Sequence, residues 1–344
     1  MKTRNVCGLI MLIMLVGLVV SYYFTRQLPD IVIAVPLISG TSINAQIIEE
    51  ANARGMMFTY ENRRFEYVTT LNTTHNIVII ATNHALPFVM NYTFTHGRFF
   101  NEYAVRYNHR VAVLNMESAF ALFRTYEATG NEITIGGQPY RIIGVVNDNR
   151  AGKNIYIPFS GNTVESVASG HGLFTTGEWQ RMGITNERYR FIDFAALRTV
   201  IWDKVVLAIF ILLFGVLAIM LRKSATLMKI QVKQIKLLLK SVYLRELYSK
   251  LPLWKLIGLS VASLGMIIFM GFMVTDAIWR ILIAIEAQGS LVGLQSAAFA
   301  EQLLEMARWY NASKLFFLGF VLFYALLITT EIYYKRQYAV QERR

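Results

Sequence analysis

The chain has 344 residues, of which 55% are hydrophobic and 16% charged, with a formal net charge of +12 and a single cysteine. One cysteine excludes an internal disulfide framework and a cysteine-rich zinc cluster. A charge of +12 on a soluble domain would point to nucleic acid, but the placement of the charges along the chain excludes that partner.

The first element is the apolar run "VCGLIMLIMLVGLVVSYYF", Val6 to Phe24, long enough to cross the roughly 30 Å hydrocarbon core of a bilayer. Its length and the lack of a small-x-small cleavage site favour a retained anchor over a signal peptide. Residues 1–25 therefore read as a short cytoplasmic N-terminus and a first transmembrane helix.

Residues 26–203 carry mixed signals and read as an extracytoplasmic α+β domain. A helix is expected over 42–55, with Ser42 as a possible N-cap and Gly55 at its end. Strands are expected at 65–71, 76–82 and 110–115, and a helix over 116–130 closing at Gly130. In "EITIGGQPYRIIGVV" two β-branched runs flank Gly136-Gly137, the signature of a two-residue hairpin turn that needs φ > 0 at both positions. A further strand is expected at 153–159.

The second span covers 204–221, a basic cytoplasmic helix 222–252, the third span 253–278, an extracytoplasmic loop 279–313, the fourth span 314–334 and a cytoplasmic tail 335–344. The expected fold class is a membrane protein with four transmembrane helices and an α+β domain inserted between helices 1 and 2. The segment 222–255 holds nine basic residues and one acid, Glu246. With Lys2, Arg4 and the tail from Glu331 it accounts for the whole net charge, and everything else balances to zero. Basic residues collect on the cytoplasmic side of a membrane. A multi-pass protein of the inner (cytoplasmic) membrane with both termini in the cytoplasm is expected. Tyr22, Tyr23, Trp202, Trp254, Trp279, Trp309, Tyr310, Tyr333 and Tyr334 sit where an interfacial belt would want them.

Within the basic helix Lys229, Lys233, Lys236 and Lys240 form one stripe, with Arg245-Glu246 further on. That stripe suits either anionic lipid or a cytoplasmic partner. Gly258, Ala262 and Gly265 give the third span a small-residue face for close helix packing, in this chain or against a second copy. Catalytic motifs are missing: the five histidines, His75, His84, His96, His109 and His171, show no HExxH or other metal spacing, Ser160 and Ser169 lie in no G-x-S-x-G, and Glu49-Glu50 reads as a solvated helix face. "AGKN" at 151–154 is no phosphate-binding loop. No catalytic, cofactor-binding or metal residue is expected, and the chain is not itself an ATPase.

The stretch "HGRFFNEYAVRYNHRVAVLNMESAFALF" (96–123), followed by "GNEITIGGQPYRIIGVVND" (130–148) and "NIYIPF" (154–159), resembles the periplasmic core signature of MacB/FtsX-type ABC transporter permeases. One span, a large outside domain and three more spans is also that family's arrangement. The resemblance implies a permease subunit, paired with a second copy or paralogue. It implies a cytoplasmic ABC ATPase that uses the ATP, and motion transmitted to the outside domain and its adaptor or substrate. The family's Glu-Ile-Gly-x-Arg and Ala-Leu-Gly-Ala strings are absent after the second span. Two other readings fit: an FtsX-like regulator recruiting an envelope enzyme, and an uncoupled membrane-anchored binding protein.

Overall fold

The computed structural model describes residues 2–238 except 39, 72, 149, 151 and 171–175, scattered helical positions between 258 and 279, and residues 298–341. The chain divides into two compact units, Tyr23–Arg198 with Gln288–Tyr310, and Met1–Tyr22 with Thr199–Ala287 and Asn311–Arg344.

The first of these is an α+β domain. In chain order its strands and helices are β1 (Ile31–Pro36), β2 (Ile43–Asn44), α2 (Ala45–Ala53), β3 (Phe58–Thr59), β4 (Glu61–Thr69), β5 (Thr74–Thr82) and α3 (Leu86–Val89). These are followed by β6 (Thr93–Gly97), α4 (Glu102–Arg106), β7 (Val111–Asn115), α5 (Met116–Phe123), β8 (Glu132–Ile135) and β9 (Gln138–Asn147). The last are β10 (Asn154–Pro158), β11 (Thr163–Val164), β12 (Val167–Gly170), α6 (Thr176–Arg181) and β13 (Tyr189–Asp193). Flanking them are α1 (Lys2–Gln27), α7 (Phe194–Leu238) and α8 (Ala300–Gln341).

The main sheet has seven strands in the order β6-β9-β7-β10-β5-β4-β8, and β8 also pairs with the start of β9. The strands thus form a closed circuit with β6 attached to it. β5 and β10 run parallel, Val78 to Thr82 beside Asn154 to Pro158, and their apolar runs are covered on both faces as parallel strands require. Ile77, Ile79, Leu114, Ile155 and Ile157 point to one side, into a core closed by Ile48, Leu122 and Trp179. The register places Arg63, Ile80, Tyr156 and Val113 on the opposite side. A four-stranded sheet, β13-β1-β12-β3, holds the buried strand β1 at its centre.

The hairpin forms as its sequence requires. Gly136 and Gly137 have φ of +56° and +76°, and Ile135 pairs directly with Gln138. The helices differ in their ends. α2 is capped by Asn44, whose side chain accepts from the Gln46 N–H, and not by Ser42. α5 stops at Phe123 because Arg124 turns left-handed, φ +60°, seven residues short of Gly130 on the sequence reading. Asn101 and Asn115 cap α4 and α5 in the same way as Asn44, since a short amide side chain satisfies the N–H groups a first turn leaves free.

The second unit is helical. Met11 and Leu18 of α1, Val205 and Ala208 of α7 and Phe320 of α8 form its core. A Cβ at Gly17 would lie 2.7 Å from the Phe316 ring, at Gly215 2.5 Å from the Tyr324 hydroxyl, and at Gly319 3.1 Å from Met14 Sδ. These three glycines let helices of this unit approach closely. A Cβ at Gly258 or Gly265 would meet no atom of the described residues within 4 Å. Ala262 and several other positions of the third apolar segment lie outside the described residues. Three helices among the described residues are long and apolar enough to cross a membrane: Val6–Gln27, Phe194–Val216 and Ala300–Ile332.

Candidate functional site

The α+β unit includes the stems of all three long helices: the last residues of α1, the first of α7 and the first turns of α8. Two polar clamps hold these stems to the domain.

The first clamp is Arg198, in the second turn of α7. Its Nε donates to the Thr25 carbonyl at 3.1 Å and its Nη2 to the Leu28 carbonyl at 2.8 Å, and it pairs with Asp30. One guanidinium thus ties the start of α7 to the end of α1 with its planar fork of donors.

The second clamp is buried. Glu61 opens β4, and its side chain is 0% exposed. Its Oε2 lies 2.8 Å from Arg150 Nη2, and its Oε1 accepts the Phe299 N–H at 2.5 Å. Phe299 has φ +55°, a conformation that costs a non-glycine residue about 1–3 kcal/mol and persists where neighbours enforce it. With the Gln302 amide oxygen facing Arg150, that oxygen accepts from Nε at 2.8 Å and Nη2 at 2.9 Å. Arg63, two residues along β4 and on the same face, pairs with Glu301 at 2.5 Å. Burial works against the Arg150 charge, but Glu61 outweighs it and the guanidinium is held firmly protonated.

Beneath Arg150 the polar network continues. Asp148 accepts from the Tyr156 hydroxyl at 2.5 Å, Asn154 Nδ2 at 3.2 Å and the Arg150 N–H at 3.2 Å. The Arg150 guanidinium lies 5.8 Å from the centre of the Tyr92 ring. Burial raises the pKa values of both Tyr92 and Tyr156, so both are neutral. Arg26, Asp30, Tyr92, Arg150, Arg198 and Arg308 are among the residues lining a cavity of about 1170 Å³.

Glu49 departs from its sequence reading. It is half-buried, and its Oε1 accepts from the Tyr60 hydroxyl at 2.8 Å and Asn83 at 2.9 Å, with His84 Nδ1 3.7 Å from Oε2. It joins α2 to the β3–β4 junction and to the residues just after β5, while Glu50 is exposed. Ser160 is exposed and Ser169 buried in β12. His75, His96 and His109 stand apart from this cluster in sequence, and His171 lies outside the described residues. No group of three or more His, Cys, Asp or Glu among the described residues could hold a metal. Lys229 and Lys233 are exposed on α7, which runs on from the apolar segment without a break. The side chain of Lys236 is not described, and Lys240, Arg245 and Glu246 lie outside the described residues. Of the belt residues, Tyr22 packs against Trp202 at 4.8 Å and Trp309 stacks on Phe24 at 4.4 Å.

Glu61, Arg63 and Arg150 escaped the sequence reading. The one signal for Glu61 and Arg63 is a run of charges, "ENRR", leading into an aromatic strand, and Arg150 had none.

An α+β domain clamped to the stems of long apolar helices defines a membrane-anchored domain of the kind found in transporter permeases. The profile of the MacB-like periplasmic core domain family matches residues 7–192, and the chain belongs to that family, as a MacB/FtsX-type permease with its MacB-like domain. Among solved structures it is similar to the periplasmic region of MacB from Actinobacillus actinomycetemcomitans. The two are 15% identical with a TM-score of 0.42, over 51% of this chain and 94% of that one. It is also similar to the extracellular domain of the noncanonic ABC-type transporter YknZ from Gram-positive bacteria. Here identity is 16% and the TM-score 0.38, over 48% and 99% of the two chains. No curated protein matches the sequence.

Proposed function

We propose that the chain is the permease subunit of a MacB/FtsX-type ABC transporter. A separate cytoplasmic ATPase hydrolyses ATP, and the apolar helices carry the resulting motion to the α+β domain outside the membrane, for export or for mechanical signalling in the envelope. The chain itself catalyses nothing and binds no cofactor. In this reading the spans are the four of the sequence division, with the domain inserted between the first two and both termini in the cytoplasm of an inner-membrane protein. Exposed Lys229 and Lys233 bear on the ATPase or on anionic lipid. Gly258 and Gly265, where an added Cβ would meet nothing among the described residues, are available to a second copy or paralogue. An envelope adaptor is a further partner.

The observation that carries the reading is the pair of clamps. A helix can push or pull a domain only if its stem is fixed to it, and Arg198 and the Glu61–Arg150 pair supply that fixation.

Gentle extraction of the tagged chain from its native membrane, with mass spectrometry of what accompanies it, tests the proposal. A stoichiometric ABC ATPase is expected, weakened by Lys233→Glu with Lys236→Glu while membrane insertion persists. Reproducible absence of an ATPase from folded, dimeric protein would overturn coupling and leave the recruiting or uncoupled readings.

A further inference from the structure

From the open edge of β4 we infer a contact between two copies of this chain, in which the two β4 strands pair antiparallel about a two-fold axis at Phe65. Three observations converge on it. First, the edge is open. β5 pairs with β4 along its whole length, Glu61 to Thr69, whereas β8 reaches only Val68 and Thr69 on the other side. No other strand among the described residues pairs with β4. The hairpin turn that ends β8 stops beside Glu66, since a Cβ on Gly136 would lie 3.7 Å from Glu66 Oε2. From Asn62 to Glu66 the outer edge therefore presents backbone donors and acceptors with no strand beside them, a template on which another strand adds.

Second, the same strand leaves aromatic surface in water. Glu61 and Arg63 lie on the outer face of β4 and are engaged by Phe299 and Glu301 of the α8 stem. Phe65 and Tyr67, next along that face, are 76% and 73% exposed. Pairing two such edges extends the sheet and gathers the four rings into one cluster.

Third, the sequence "RFE" at 64–66 is self-complementary. In a two-fold pair residue i faces residue j of the second copy, and j faces i. With Phe65 facing itself, Arg64 faces Glu66 of the second copy and Glu66 faces its Arg64, so unlike charges meet on both sides of the axis. An axis at Arg64 or at Glu66 would set like charges opposite each other, which is destabilising. Within one copy Arg64 Nε lies 2.8 Å from Glu66 Oε1, while Glu66 Oε2 is buried without a hydrogen-bond partner and is left for the second arginine. Charges on an edge strand ordinarily keep other chains away. In this order they admit a second copy of the same strand in one register.

The inference rests on the reading of a chain paired with a second copy, and it is independent of any ATPase. The full chain in nanodiscs, with Cys7→Ser as background, provides the test. Opposite Cα atoms of an antiparallel pair lie about 4.5–5.5 Å apart, within disulfide range. Phe65→Cys should therefore yield a disulfide-linked dimer on mild oxidation. Asn62→Cys, equally on the edge but about 20 Å from its own copy, should not. Adding Arg64→Glu to Phe65→Cys should cut the linked fraction at least about tenfold, and adding Glu66→Arg as well should restore it. That restoration separates lost pairing from lost folding. Equal linkage of Phe65→Cys and Asn62→Cys, or linkage indifferent to Arg64→Glu, would overturn the contact. Linkage of Phe65→Cys to a different polypeptide in native membranes would overturn the second copy as its occupant. Dimers in native mass spectrometry without Phe65 linkage would overturn the contact and leave the paired reading standing, whereas monomers alone would refute the pairing itself.

Discussion

Gly97 and Gly144 pair across β6 and β9 where the two strands come closest, and each explains one glycine of the sequence signature. A Cβ at Gly97, φ +68°, would lie 2.2 Å from the Ile143 carbonyl oxygen, and one at Gly144 2.4 Å from that of Arg98. Both obstacles are backbone and cannot swing aside. Gly97→Ala and Gly144→Ala should each destabilise the fold by about 1–3 kcal/mol, read as a lower denaturant midpoint. The buried tyrosines set a pH limit. An unfolded tyrosine loses its proton near pH 10, whereas Tyr92 and Tyr156 hold theirs to higher pH because burial opposes the phenolate. Above about pH 10 the unfolded chain therefore binds fewer protons than the folded one, and stability falls as pH rises; below that value the contribution is fully present. The melting temperature should drop through that range, and by less in Tyr92→Phe.

Among the elements, the β8–β9 hairpin is the one whose chemistry is most local. Replacing Gly136 and Gly137 by alanine forces two left-handed residues with a Cβ, at about 1–2 kcal/mol each, whereas Gly136→Asn should keep both register and melting temperature. Calorimetry of the two variants distinguishes these outcomes. This locality is why the hairpin was legible in sequence, together with the apolar strands β5, β7 and β10. β4 was legible only from Phe65 onward, because Glu61 and Arg63 look like surface charges until α8 and Arg150 supply their partners. β-propensity follows such tertiary context. The stem of α8 was hidden for the same reason. Glu301, Glu305 and Arg308 give residues 279–313 the polarity of a loop, yet 298–310 belong to the α+β unit. The helix ends went astray where one side chain decides: Asn44 in place of Ser42, and a left-handed Arg124 before Gly130.

For the molecule as a whole, the decisive property is whether the α8 stem can be released without unfolding the domain. Arg63 holds it through an ion pair with Glu301 and the Glu61–Arg150 pair through the Phe299 N–H, and the two ion pairs differ in strength by their surroundings. Removing one member of the fully buried Glu61–Arg150 pair leaves an uncompensated charge, worth about 3–5 kcal/mol. The Arg63–Glu301 pair, with side chains 12% and 36% exposed, is worth no more than about 1 kcal/mol. Local opening is seen in amide exchange. In Glu61→Gln the amides of residues 299–303 should exchange at least about a hundredfold faster, against less than about tenfold in Arg63→Gln. The amides of β5, β7 and β10 should keep their protection in both. Equal acceleration of the sheet and the stem would mean that they open together, and a stem that cannot part from the sheet cannot serve as a separable latch between the last apolar helix and the domain.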